Sequence, residues 1–168
     1  MKTTSIQRLL FTLILPFSMT LALRAATYSW TGGGDGSAWN ADANWSTSAP
    51  VSTNDADLVF GTASGGATVN NIASPFLLRN MTFNVAAGSF TISGFPLVLY
   101  GNVVNNSSSI QGLGAATTLA ADSQWGAGNG SLTLAATLDG QNRKLTKMGT
   151  GTLLINGTSV VVTNLAIS

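Results

Sequence analysis

The sequence predicts an all-β chain built from stacked coils of short strands, on three observations. Helix signals are nearly missing: beyond Ala26 no window sustains apolar residues at i, i+3, i+4 and i+7 between caps. Short strand-like runs separated by Gly, Asn and Ser fill the chain instead. Apolar groups also recur, at Phe83, Leu97 or Leu99, Thr118-Leu119, Leu132-Leu134 and Leu153-Ile155, at intervals of about 15 to 21 residues. A single coil cannot bury its apolar face, whereas stacked coils share a continuous core. A β-sandwich is the alternative, because it too uses short strands with turn signals about every 8 to 12 residues.

The first element is an export signal. Lys2 and Arg8 precede an apolar run from Leu9 to Leu23, and small residues follow at Ala25 and Ala26. This is the layout of a secretory signal peptide over residues 1–26, removed after Ala25 or Ala26. The run is shorter than the roughly 20 apolar residues that span a bilayer, and Pro16 interrupts it. Removal changes the charge. Four basic residues (Arg79, Arg143, Lys144 and Lys147) then stand against six Asp, a formal −2. That excludes a nucleic-acid grip, which needs an extended basic surface. The charged fraction of 8% is well below the typical quarter, and Ser, Thr, Asn and Gly must supply solubility. With no His and no Cys, neither a Ser-His-Asp triad, a Cys-His dyad nor a His-bound zinc site can form. Nothing implies a cofactor.

Residues 27–61 form a segment distinct from the rest. It holds three of the four Trp (Trp30, Trp39 and Trp45) and four of the six Asp (Asp35, Asp42, Asp55 and Asp57). It reads as an N-terminal capping segment, since an uncovered solenoid end exposes strand edges and core side chains. Residues 62–168 then read as coils. Met81 to Val85 and Phe90 to Ser93 alternate cleanly, and Leu97 to Tyr100, Val103-Val104 and Leu132 to Leu134 follow. Leu153 to Ile155 and Val160 to Val162 come last, with Leu165 and Ile167 after them.

The most specific stretch is LTKMGTGTLLING, residues 145–157. Gly149 and Gly151 permit a tight turn. The strand after it points Leu153 and Ile155 one way and Thr152, Leu154 and Asn156 the other. The pattern Leu145, Lys147, Gly149, Gly151, Thr152, Leu153, Ile155 and Gly157 resembles the autotransporter-associated β-strand repeat of large secreted bacterial proteins. Residues Trp30, Gly32-Gly33, Asp35-Gly36, Trp39, Asn44-Trp45, Pro50 and Asp57 to Gly61 resemble the opening module of such proteins. The resemblance implies a right-handed parallel β-helix of the pectin-lyase-like kind and no chemistry. Two features depart from the family: one clear repeat copy is present, and Thr158 to Val162 stands where an Asn-x-Tyr-x-Gly turn is usual. No polar cap is visible after Ile167, so either the last coil closes another way or the chain is a fragment.

Three groups invite a site. The clustered Trp could stack on sugar rings, although Trp more often fills a core. Asn40, Asp42 and Asn44 begin a calcium-loop spacing, but Trp45 and Val51 replace its Gly and Glu, which favours an Asx-rich turn. Asp pairs (Asp55 with Asp57, Asp122 with Asp139) could serve sugar cleavage only if two converge on a groove. The reading is a non-catalytic, secreted or cell-surface β-helical scaffold or adhesion protein. Its partner would be an unidentified surface polymer or protein, and its ends could self-associate. A Trp-based carbohydrate-binding module is the alternative, and a polysaccharide-cleaving enzyme is less favoured.

Overall fold

The computed structural model describes residues 25–62 and 64–168. The export signal falls on residues 1–26 and so lies almost wholly outside them. The described chain is a three-sided parallel β-helix. Strand β1 (Thr27–Trp30) precedes five coils of three strands each. The first coil is β2 (Asp57–Phe60), β3 (Gly66–Asn70) and β4 (Phe76–Leu78). The second is β5 (Asn80–Phe83), β6 (Phe90–Gly94) and β7 (Leu97–Leu99). The third is β8 (Val103–Asn105), β9 (Ile110–Leu113) and β10 (Thr117–Leu119). The fourth is β11 (Ser123–Ala127), β12 (Ser131–Leu134) and β13 (Leu138–Asp139). The fifth is β14 (Lys144–Met148), β15 (Thr152–Ile155) and β16 (Val160–Val161), and β17 (Asn164–Ile167) closes the series.

Each strand pairs with the equivalent strand one coil away. A seven-stranded sheet runs β1-β2-β5-β8-β11-β14-β17, and two five-stranded sheets run β3-β6-β9-β12-β15 and β4-β7-β10-β13-β16. All these pairings are parallel, which excludes the sandwich. Met81 pairs with Val103 and Val103 with Trp125 in the first sheet. Ile92, Leu113 and Leu134 form a column in the second, and Phe76, Leu97 and Thr117 one in the third.

Across the five coils paired positions lie 20 to 24 residues apart, at the upper end of the anticipated spacing and somewhat beyond it. Bonds between equivalent positions of neighbouring coils span 22 residues at Asn80–Asn102, Asn102–Gln124 and Asp122–Lys144. The apolar series from Phe83 to Ile155 mixes the three faces of the helix: Phe83 lies on the first, Leu97 and Leu119 on the third, and Leu134 and Ile155 on the second. The steps from Leu99 to Leu119 and from Leu134 to Ile155 join paired residues and are true coil repeats, whereas those from Phe83 to Leu97 and from Leu119 to Leu132 cross between faces.

Alternation sets the core. Leu58 and Phe60, Met81 and Phe83, Ile92, Leu97 and Leu99, Leu132 and Leu134 are all buried, while the residues between them are partly or fully exposed. Each such side chain contributes roughly 1.5–3 kcal/mol on burial, which lets a chain with few charges fold. Several buried polar residues interrupt the apolar columns, and two of them, Asn105 and Gln111, are fully bonded. Asn105 follows Phe60 and Phe83 in their column. Its Oδ1 accepts from the Ser107 N–H, and its Nδ2 donates to the carbonyls of Ser109 and Ser131. Gln111 accepts from the Phe90 N–H and donates to the Gly88 carbonyl and Ser107 Oγ. Both hold corners where the chain leaves one sheet for the next.

Candidate functional site

The segment before the first coil lies across that coil on all three faces. Strand β1 pairs with β2. Trp39 N–H donates to the Val69 carbonyl at 3.0 Å, and Val69 N–H to the Ser37 carbonyl at 2.9 Å, which covers β3. Thr53 N–H donates to the Leu77 carbonyl at 3.1 Å and Leu77 N–H to Ser52 Oγ at 2.8 Å, which covers β4. Strand edges at this end are thereby paired.

The tryptophans are the inside of this cap. Trp30, Trp39 and Trp45 are 3%, 0% and 4% exposed. Trp45 meets Trp30 edge-on at 5.0 Å and Trp39 at 6.0 Å, and Trp39 meets Phe76 at 5.5 Å. Phe60 carries the cluster onward, stacking on Phe83 at 5.3 Å. Two of the three indole N–H groups are bonded inside as well, Trp39 Nε1 to Thr68 Oγ1 and Trp45 Nε1 to the Trp39 carbonyl. The rings pack on one another inside the cap, as the favoured core reading has it, and leave no exposed face for the alternative of a sugar platform.

Asn40, Asp42 and Asn44 do not converge on an ion. Asn40 pairs with Asn71 through its backbone and its side chain. Asp42 accepts from the Ala49 N–H. Asn44 is buried and organises the Gly-rich turn: its Oδ1 accepts from the N–H groups of Gly34 and Gly36, and its Nδ2 donates to Asp35 and to the Ala38 carbonyl. Asp35 also accepts from the N–H groups of Ser37 and Ala38. The Asn44 amide, followed by those two backbone donors, holds the Asp35 carboxyl below its ordinary range.

The Asp pairs likewise separate into structural roles. Asp55 sits in the turn before β2 rather than on it, and accepts from the Thr53 hydroxyl. Asp57 forms the single ion pair among the described residues, with Arg79, and also accepts from Asn80 Nδ2 at 2.9 Å. That ion pair raises the Arg79 pKa above its usual value. Asp122 accepts from the Lys144 N–H, and Asp139 from Gln141. Among the described residues no three Asp, Glu, His or Cys side chains gather as a metal set.

The repeat residues are placed by coil contacts. Leu145 is fully buried, and Lys147 bonds the Gly149 carbonyl through Nζ. Gly149 has φ of +75°, and a Cβ at Gly151 or Gly157 would strike the carbonyl of Gly130 or Ala136 on the preceding coil. Leu153 and Ile155 pack against the core, while Thr152 and Leu154 are exposed.

One surface feature went unnoticed in the sequence. The outer side of the first sheet carries a hollow of about 270 Å³ over β1, β2, β5 and β8. Its only sequence signal is the recurrence of Asn80 and Asn102 at one coil's spacing, which has meaning only once the period is known.

Comparisons of the chain with protein-family models, with curated proteins and with solved structures find no match. Its class therefore rests on the fold: a parallel β-solenoid with a tryptophan-filled N-terminal cap.

Proposed function

We propose that the protein is a non-catalytic, exported scaffold or adhesion module of a bacterial surface, akin to proteins carrying the autotransporter-associated repeat. The observation that carries this reading is the uninterrupted stack of coils in which every Asp is engaged in a turn, a corner or an ion pair. A stacked ladder of backbone hydrogen bonds makes a stiff rod, and its exposed Thr, Ser and Asn faces meet partners. Among the described residues no helix is long and apolar enough to cross a membrane. In this reading the C-terminal coil supplies a self-association surface, because Val160, Val161, Leu165 and Ile167 are exposed there.

Export is tested by sequencing the N-terminus of the product released from a bacterial host expressing residues 1–168. The Ala26 carbonyl accepts the Asp57 N–H at 2.8 Å, so cleavage after Ala25 retains the first rung of the sheet. A product beginning at Ala26 or Thr27 supports export. Intact Met1 on a membrane-bound product overturns it.

A further inference from the structure

We propose that the hollow on the outer side of the first sheet is a subsite for one ring of a neutral saccharide. Two columns of outward side chains build it. Val59, Thr82 and Val104 stack in register through successive coils and present methyl groups. Beside them Thr27, Asp57 and Asn80 stack in register, with Asn102 next along. A sugar ring has this division: C–H groups on its faces and hydroxyls around its edge. Small-ligand sites combine an apolar lining with a few fixed polar groups in the same way.

The polar column is fixed in place and keeps donors to spare. Asn80 Oδ1 accepts from the Asn102 N–H and Asn102 Oδ1 from the Gln124 N–H, each bond between 2.8 and 2.9 Å. These bonds lock both amide planes, so an incoming hydroxyl meets a preorganised edge. The Asn102 Nδ2 group and the Thr27 and Thr82 hydroxyls make no hydrogen bond to another described residue, which leaves them for a ligand.

Charge selects the ligand class. Asp57 is neutralised by Arg79 in a two-point contact, so the hollow offers no free cation to a uronate, sulfate or phosphate. It holds no aromatic side chain on which a nucleobase could stack. Hydroxyls facing amides, a shared carboxylate and Thr hydroxyls, over a methyl floor, fit an uncharged sugar. This site is independent of the buried tryptophans and of the scaffold reading.

Native gel electrophoresis of the chain through starch, xylan, galactomannan, hydroxyethylcellulose or polygalacturonate tests the assignment. Retardation is expected in at least one neutral polymer and not in polygalacturonate. Thr82→Trp fills the hollow from the outer face and should abolish retardation. Asn102→Asp keeps the oxygen that accepts from Gln124 but removes the amide donors, and should weaken binding about tenfold. Both variants are checked for an unchanged melting temperature, and whichever passes decides. No retardation by any neutral polymer, retardation by polygalacturonate alone, or equal retardation of wild type and a folded variant overturns the proposal.

Discussion

At the scale of the residue, Asn44 and Asp35 show how a glycine-rich turn is held without a ligand. In the turn from Gly32 to Gly36 the N–H groups of Gly34 and Gly36 point at the buried Asn44 Oδ1, and Asn44 Nδ2 donates in turn to the Asp35 carboxylate. Removing the amide, as in Asn44→Ala, should cost about 1–3 kcal/mol, because orphaned polar groups stay enclosed. Urea unfolding measures it. Asp35 gives a pH signature. Its folded pKa lies below that of a free carboxylate, so its bonds stabilise the fold fully above the unfolded pKa, and the contribution is lost as pH falls through the folded value. The melting temperature of wild type should exceed that of Asp35→Asn at neutral pH, and the two should converge in strong acid. Curves that stay parallel down to pH 2 or so would remove Asp35 from the account. The sequence showed oxygen side chains at alternate positions from Asn40 to Asn44 but not their targets. Those targets, Asn71 for Asn40 and the Gly-rich turn for Asn44, are tertiary contacts.

At the scale of the element, strand phase was readable and strand grouping was not. A period of two reveals which residues of Thr152–Ile155 share a side, whatever the fold around them. Leu153→Asp should therefore cost about 2 kcal/mol or more, and Thr152→Asp within about 0.5 kcal/mol. Equal shifts in melting temperature would refute the phase. Strands such as Ile110–Leu113 and Ser123–Ala127 escaped notice because Gln111, Ser123 and Gly126 dilute their apolar pattern. Their inward polar groups are satisfied at the corners, as in the bond from Trp125 Nε1 to Ser123 Oγ. Glycine placement was legible as a motif, but its cause lies between coils. Gly151→Ala would drive a methyl group into the Gly130 carbonyl, an overpacking of about 1–3 kcal/mol that thermal unfolding should register.

At the scale of the whole molecule, the two ends of the solenoid differ, and this sets how copies can meet. At the N-terminal end β1, the Ser37–Trp39 stretch and the Ser52–Thr53 stretch cover the three sheet edges. At the other end β15, β16 and β17 carry no further strand among the described residues. Leu165 stacks over buried Leu145 and Ile167 over Lys147, yet they are 58% and 80% exposed. Stacking one copy's C-terminal coil on another's N-terminus would require displacing the cap. Two C-terminal coils can meet directly, and a contact of like with like closes as a two-fold pair instead of growing into a fibre. Light scattering should therefore show a dimer forming as concentration rises, with no larger species. Val161→Lys puts a charge beside Asp139 on the outer side of that edge, and Leu165→Lys puts one over the core. Both should shift the equilibrium to monomer, because an edge charge blocks strand pairing. A wild-type chain that stays monomeric at high concentration would refute self-association through this coil. Growth beyond a dimer would show that the N-terminal cap is no barrier.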